Sequence, residues 1–218
     1  MNQLLNELGR AYQYFLANQA DFWDNLATHL RLSISALLIA LLICVPLGIW
    51  AAKRVVVSQV AINTANALRV VPSLAILFLA RPYFGLGFTS ALIALTILAF
   101  PPILTNTYAG FRSLDRAVSE SARGMGMSSR QVIRSVEFPL ALPVILAGIR
   151  IATVEVIASA TLAAYIGGDG LGNYIQRGFA VNRLDIVLVG TITIALLALA
   201  ADALLAGVQR TSAAYVRG

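Results

Sequence analysis

Residues 32–52 read LSISALLIALLICVPLGIWAA, a run without a single charge that Lys53-Arg54 brings to a stop. A helix rises about 1.5 Å per residue, so about 20 apolar residues cross the ~30 Å hydrocarbon core of a bilayer. The run therefore reads as a membrane-spanning helix. Outward from it, the pattern recurs at 55–79, 88–104, 140–166 and 185–208. The run at 55–79 is the weakest, because Asn63, Asn66 and Arg69 interrupt it and Pro72 sits inside it. The run at 88–104 ends on Pro101-Pro102, and the run at 140–166 opens with Pro143. The expected fold is all-α: a polytopic transmembrane helix bundle of about five spans.

Composition points the same way. The 218 residues are 59% hydrophobic and 12% charged, with a mean hydropathy of +0.80. Soluble domains carry about 25% charged residues, so too little polar sequence remains for a separate soluble domain. The chain divides into an N-terminal segment, 1–24, a transmembrane domain, 25–210, and a tail, 211–218. Leu5, Leu8, Tyr12, Phe15 and Leu16 fall at helical spacing in the first segment. It reads as an amphipathic helix, lying along the interface or packed on the bundle. It has no short apolar core before a small-residue cleavage site, unlike a signal peptide.

A net charge of +6 and a pI near 10.0 raise the possibility of nucleic acid, which would require a continuous exposed basic face. Here the basic residues sit between spans, where they set orientation. With the first span running inward, Lys53, Arg54, Arg112, Arg116, Arg123, Arg130, Arg134, Arg210 and Arg217 lie inside. Arg10, Arg31, Arg81, Arg177 and Arg183 lie outside. Nine against five favours an outer N-terminus and a cytoplasmic C-terminus. The lone cysteine, Cys44, lies within an apolar run, which excludes a disulfide framework and a cysteine metal cluster. Neither Cys44 nor His29 has a partner at metal or nucleophile spacing.

The passage 112–139 departs from its surroundings. Leu114, Val118, Ala122 and Met125 are spaced by four, four and three, which stacks them on one helical face. Arg116, Glu120 and Arg123 line the other face, with Glu120 in reach of either arginine. Asp115 suits a cap ahead of this helix, and Gly124 and Gly126 supply permissive dihedrals at its end. A second helix follows: Ser128 and Gln131 have capping-box spacing. Val132, Ile133 and Val136 form its apolar face, Arg130, Arg134 and Glu137 its polar face, and Pro139 breaks it. Two such helices have no fold of their own to pack into. They need the membrane surface or another protein.

Ionisable residues inside apolar runs are costly and mark function by default. Arg69, Arg150, Glu155 and Asp202 are of this kind. Arg150 and Glu155 lie about 140° apart around a helix and cannot easily pair. Arg150 snorkels or holds the passage 112–139; Glu155, near mid-membrane, lines a pathway or is neutral and hydrogen-bonded. Prolines at 46, 72 and 101–102, with Gly48, Gly148 and Gly190, suit a bundle with a pathway or ordinary kinked packing.

Glu120, Ala122, Gly126 and Pro139 match the pattern E-A-A, three residues, G, nine residues, I-x-L-P. Ser121, Val136 and Phe138 replace its first alanine, isoleucine and leucine. This resembles the loop of bacterial ABC importer permeases, type I inner-membrane components of binding-protein-dependent transport. The resemblance covers roughly residues 25–210. RVVPSLAILFLARPYFGLG (69–87) and LALPVILAGIRIATVEVIASATLAAYIGGDGLGNYI (140–175) are most similar to permeases for glycine betaine, choline, carnitine and related osmoprotectants. Amino-acid permeases of the methionine type are less similar.

The resemblance implies a multi-pass protein of the bacterial inner membrane, working as a homodimer or beside a sister permease. It implies a dimer of cytoplasmic ATP-binding subunits, which hold ATP and magnesium, and an extracytoplasmic substrate-binding protein. Arg116, Val118, Glu120, Ser121, Ala122, Arg123, Gly124, Met125, Gly126 and Pro139 would belong to a coupling helix and its hairpin, docked in a groove of the ATPase. Val118, Ala122 and Met125 would fill that groove.

The chain is not expected to be an enzyme or to bind a cofactor or metal. A phosphate-cradling loop needs G-x-x-x-x-G-K-S/T, and the only lysine, Lys53, sits in WAAKRV. Pathway candidates are Pro72, Ser73, Glu155 and Tyr165. Gly167, Gly168, Asp169 and Gly170 of GGDGLGN form either an outer loop that docks the binding protein or a tight structural turn. Tyr83, Phe84, Tyr165, Tyr174 and Phe179 contact substrate or binding protein, or form an interfacial aromatic belt. A secondary transporter would need its own ion site and usually internal repeats, and no repeat is visible. A membrane-embedded enzyme lacks a His/Asp/Glu cluster or Ser–base pairing in the spans.

Overall fold

The computed structural model describes the backbone of residues 2–217 and the side chains of residues 5–213. Every regular element within it is helical. In chain order these are α1 (Asn2–Ala17), α2 (Gln19–Lys53), α3 (Val55–Val70), α4 (Ser73–Phe84), α5 (Phe88–Arg112), α6 (Arg116–Gly124), α7 (Ser129–Val132), α8 (Phe138–Ser159), α9 (Gly172–Ala180) and α10 (Leu184–Arg217). A π turn, Ile133–Glu137, joins α7 to α8, and a 3₁₀ segment, Ala160–Ile166, extends α8.

Four segments are long and apolar enough to cross a membrane: Gln19–Lys53, Phe88–Arg112, Ser129–Ile166 and Leu184–Ala213. The expected second span is not one rod. α3 and α4 meet at 101° across Val71-Pro72. Steric conflict with a following proline drives the preceding residue out of the helical region, and Val71 is extended, with ψ 122°. The pair makes a fifth crossing only as a broken helix.

Two other expected breaks do not occur. α5 passes through Pro101 and Pro102, both buried, and ends at Arg112. Helices packed on either side hold its course, as protein contact allows for proline in membrane helices. Pro139 does not break its helix either. The π turn widens the coil so that Phe138 N–H reaches Ile133 O, and Pro139 falls in the first turn of α8, where a missing N–H costs little.

α5 forms the centre of the bundle, between α2, α3, α4 and α8. Small residues let these helices close on one another. A Cβ on Gly48 would lie 2.7 Å from Thr107 Cβ, and one on Gly148 only 2.5 Å from Asn106 Cβ. On Gly190 it would meet Tyr174 Cβ at 2.9 Å. These glycines mark close helix crossings. The central core gathers Leu32, Ala36, Cys44, Leu95, Ile103 and Val156.

At the opposite end from the 112–139 passage, α1 packs on α10, where Ala11 and Phe22 join Leu171, Tyr174, Ile186 and Val189. α1 packs on the bundle through Ala11, with Tyr14 and Phe15 partly buried, while Leu5, Leu8, Tyr12 and Leu16 of the apolar spacing stay exposed. The first spanning helix begins well before residue 32: α2 is 35 residues long, about 50 Å at 1.5 Å per residue.

Candidate functional site

The passage 112–139 folds as a helical hairpin. Asp115 caps α6 by accepting from Ala117 N–H at 2.9 Å. The helix ends in a glycine-centred double turn: Gly126 N–H donates to Arg123 O, and Met127 N–H to Ala122 O. Gly126 has φ +87°, whereas Gly124 stays helical, so the permissive dihedral is needed at Gly126 alone. Ser128 and Gln131 form the reciprocal capping box that starts α7.

The faces of α6 are not all free. Ala122 is 2% exposed, turned inward where α6 packs on α7 and the π turn, so it cannot also enter a groove on another protein. Val118 and Met125 are 42% and 78% exposed. Arg116, Glu120, Ser121 and Arg123 are exposed as well. Glu120 forms no ion pair among the described residues; Arg116 and Arg123 leave it open.

The residue missed in the sequence is Glu137. Read as part of a polar face, it is instead buried, paired with Lys53 at the end of α2 and accepting from Ser119 Oγ of α6 at 3.0 Å. The π turn is the reason. An extra residue in the coil rotates Glu137 away from the face that a 3.6-residue period assigns it. A solitary lysine closing the first span was the available signal. A cleft of about 380 Å³ opens beside this pair, lined by Arg112, Arg116, Ser119, Glu120 and Arg123. Below it, Phe111, Ala141 and Ile145 form a small core with Leu114 and Phe138.

Within the bundle, Arg150 is engaged. Its guanidinium grips both Asp202 oxygens, at 3.0 and 2.9 Å, and donates to Gln209 at 2.7 Å. Gln209 in turn donates to Pro143 O. The network ties α8 to α10. Arg69 donates to Thr105 Oγ1 at 3.1 Å. Glu155 has no hydrogen-bond or ion-pair partner among the described residues and lies exposed on α8. It borders an open recess of about 480 Å³ with Arg150, Ile151, Val154, Asp202 and Gln209. Pro72, exposed, and Ser73, half-buried, stand at the α3–α4 bend, and Tyr165 is exposed on the 3₁₀ segment. None of these three borders the recess.

The loop after α8 is a tied turn. Gly170 N–H and Asn173 Nδ2 both donate to Asn25 Oδ1, at 3.2 and 3.1 Å. Gly168 N–H donates to Ala163 O, and Gly87 N–H to Ile166 O. Gly168 and Gly170 are buried, while Gly167 and Asp169 are exposed. His29, beneath the loop, sets Nε2 3.1 Å from Ile157 O. Tyr174 is not an interfacial aromatic: it is 1% exposed and donates its hydroxyl to Asp21 at 2.8 Å. Burial, reinforced by the Asp21 carboxylate, pushes its phenol above the usual range. Tyr83, Phe84 and Phe179 are exposed.

Residues 44–212 match the family described as binding-protein-dependent transport system inner membrane component. The chain is 45% identical over 174 residues to the carnitine transport permease protein OpuCB of Listeria monocytogenes, covering 80% of each. It is 36% identical to the choline transport system permease protein OpuBB of Bacillus subtilis, covering 91% of each. Among solved structures, the inward-facing MetNI methionine ABC transporter aligns with a TM-score of 0.74 at 18% identity, covering 88% of this chain and 95% of that one. That likeness concerns the fold alone. With its helical bundle, its charged hairpin and a family match over residues 44–212, the chain belongs to the inner membrane components of binding-protein-dependent transport systems.

Proposed function

We propose that the chain is the transmembrane permease subunit of an ATP-driven importer for osmoprotectants of the quaternary-amine class: glycine betaine, choline, carnitine or a close relative. Relatives carrying such names match at 35–45% identity across most of the chain. The observation that carries the reading is the hairpin. It presents two exposed apolar side chains, Val118 and Met125, on one face and the charged Arg116, Glu120 and Arg123 on the other, on a chain with no phosphate-binding loop.

Such a surface suits a groove on a separate ATP-hydrolysing subunit, which would hold the nucleotide and magnesium. ATP-driven closure of two such subunits would draw two hairpins together and turn the bundle outward. The hairpin end would be cytoplasmic, and the tied glycine turn would meet the extracytoplasmic binding protein. A second copy or a sister permease would complete the pathway, with Glu155, Pro72, Ser73 and Tyr165 as its candidate lining.

Reconstitution tests this directly. The complex, co-expressed with its ATP-binding and substrate-binding subunits, is expected to accumulate labelled glycine betaine, choline or carnitine only with ATP inside the vesicle. Uptake of methionine alone would move the chain to the amino-acid importers. Uptake without any nucleotidase would defeat the assignment.

A further inference from the structure

Glu137 joins three elements with one side chain. It closes the π turn and is 3% exposed. One carboxylate oxygen accepts from Ser119 of the hairpin helix α6, and the other pairs with Lys53 at the last residue of α2. Lys53 also lies over the Phe111 ring, 5.9 Å from its centroid, and Phe111 packs on Phe138, the first residue of α8. The Lys53–Glu137 pair is the only side-chain hydrogen bond or ion pair between α2 and the hairpin among the described residues.

The place of the clasp is informative. α6 packs on α7 and the π turn, the part of the Ser129–Ile166 segment that leads into α8. The path from α7 into α8 passes through the π turn, the point where a continuous helix bends most easily. A push on α6 would be lost in that turn unless something bridged it. Glu137, tied to Ser119 on one side and Lys53 on the other, bridges it. Glu137 is buried while Lys53 is partly exposed, and apolar residues of similar volume often hold a static joint as well as a buried ion pair does. The charges are therefore suited to geometry rather than to stability.

We propose that Lys53, Glu137 and Ser119 form a positioning clasp that passes displacement of the hairpin to the spans α2 and α8. This rests on the reading of the chain as an ATP-driven permease. Glu137 and Lys53 touch neither nucleotide nor substrate; they act through the hairpin.

The test uses the full complex in proteoliposomes and measures labelled glycine betaine taken up per ATP hydrolysed. Glu137→Gln keeps the shape and the Ser119 contact but removes the charge. Lys53→Met removes the cation at a partly exposed position. The exchange Lys53→Glu with Glu137→Lys restores opposite charges. Each single variant is expected to retain its ATP-binding subunit and to lose about tenfold in uptake per ATP, within the usual range of coupling between sites. The exchange is expected to recover part of that loss. In both single variants trypsin is expected to cut faster at the hairpin arginines, Arg116, Arg123, Arg130 and Arg134.

Unchanged uptake per ATP and unchanged cleavage in the single variants overturn the clasp. So does a defect in Glu137→Gln that Lys53→Met does not share. Should Glu137→Gln fail to accumulate, Lys53→Met decides alone. A wild-type chain that binds no ATP-hydrolysing subunit refutes the reading of the hairpin instead, and the trypsin comparison then still decides whether the clasp holds it.

Discussion

At the residue scale, two ionisable groups in the spans have opposite fates. Arg150 is locked to Asp202 and Gln209, and serves packing between α8 and α10. Replacing Asp202 by Asn is expected to cost about 1 kcal/mol of coupling in a double-mutant cycle with Arg150→Met. Both side chains are partly exposed, which screens the pair and keeps the value small. Thermal unfolding in detergent checks it.

Glu155 is the contrast, an exposed carboxylate without a partner among the described residues. Facing lipid would be costly, and such groups turn towards a protein interior or water. Glu155→Gln is expected to raise the KM for choline uptake by about tenfold, worth ~1.4 kcal/mol. The effect on glycine betaine, which carries a compensating carboxylate, should be smaller. Equal effects on the two substrates would remove Glu155 from cation recognition.

At the element scale, the hairpin depends on the left-handed residue that ends α6. A Cβ on Gly126 meets nothing within 4 Å, so the strain of a substitution is backbone strain alone. Gly126→Val should therefore cost at least ~1–2 kcal/mol, while Gly126→Asn is tolerated better, because asparagine visits this region more readily. The readout is the amount of ATP-binding subunit that copurifies, with the valine variant retaining less. The crossing of α5 and α8 makes a different demand. A side chain on Gly148 would strike Asn106 and Pro102. Gly148→Val is expected to lower stability by about 1–3 kcal/mol through overpacking, seen as a lower Tm.

At the scale of the whole molecule, the hairpin and the glycine turn sit at opposite ends of the bundle, joined by α8 and its extension. The lone cysteine, Cys44, is fully buried, which makes sidedness simple to measure. After Cys44→Ser, Met125→Cys is expected to react with an impermeant maleimide only from the cytoplasmic side. Asp169→Cys is expected to react only from the outer side. The reverse pattern would invert the topology inferred from the arginine bias.

Much of this was legible in the sequence because it is local. A charge-free run of about 20 residues must satisfy its backbone internally and so forms a helix. The cap at Asp115, the Ser128–Gln131 box and the turn at Gly126 depend on residues a few positions apart, and their spacing exposes them. The hairpin was legible for the same reason.

What only the tertiary structure decided concerns partners distant in the chain. Whether a glycine lines a channel or a crossing depends on what faces it, and Gly48, Gly148 and Gly190 face other helices. Tyr174 was aromatic at the right depth for a membrane belt, yet Asp21 and the α1–α10 core claim it. Glu137 was charged among arginines, yet one extra residue in a helical turn swings it inward to Lys53, 84 positions away. Helical spacing predicts a face only while the turn stays regular, and nothing short of the packed molecule shows where it does not.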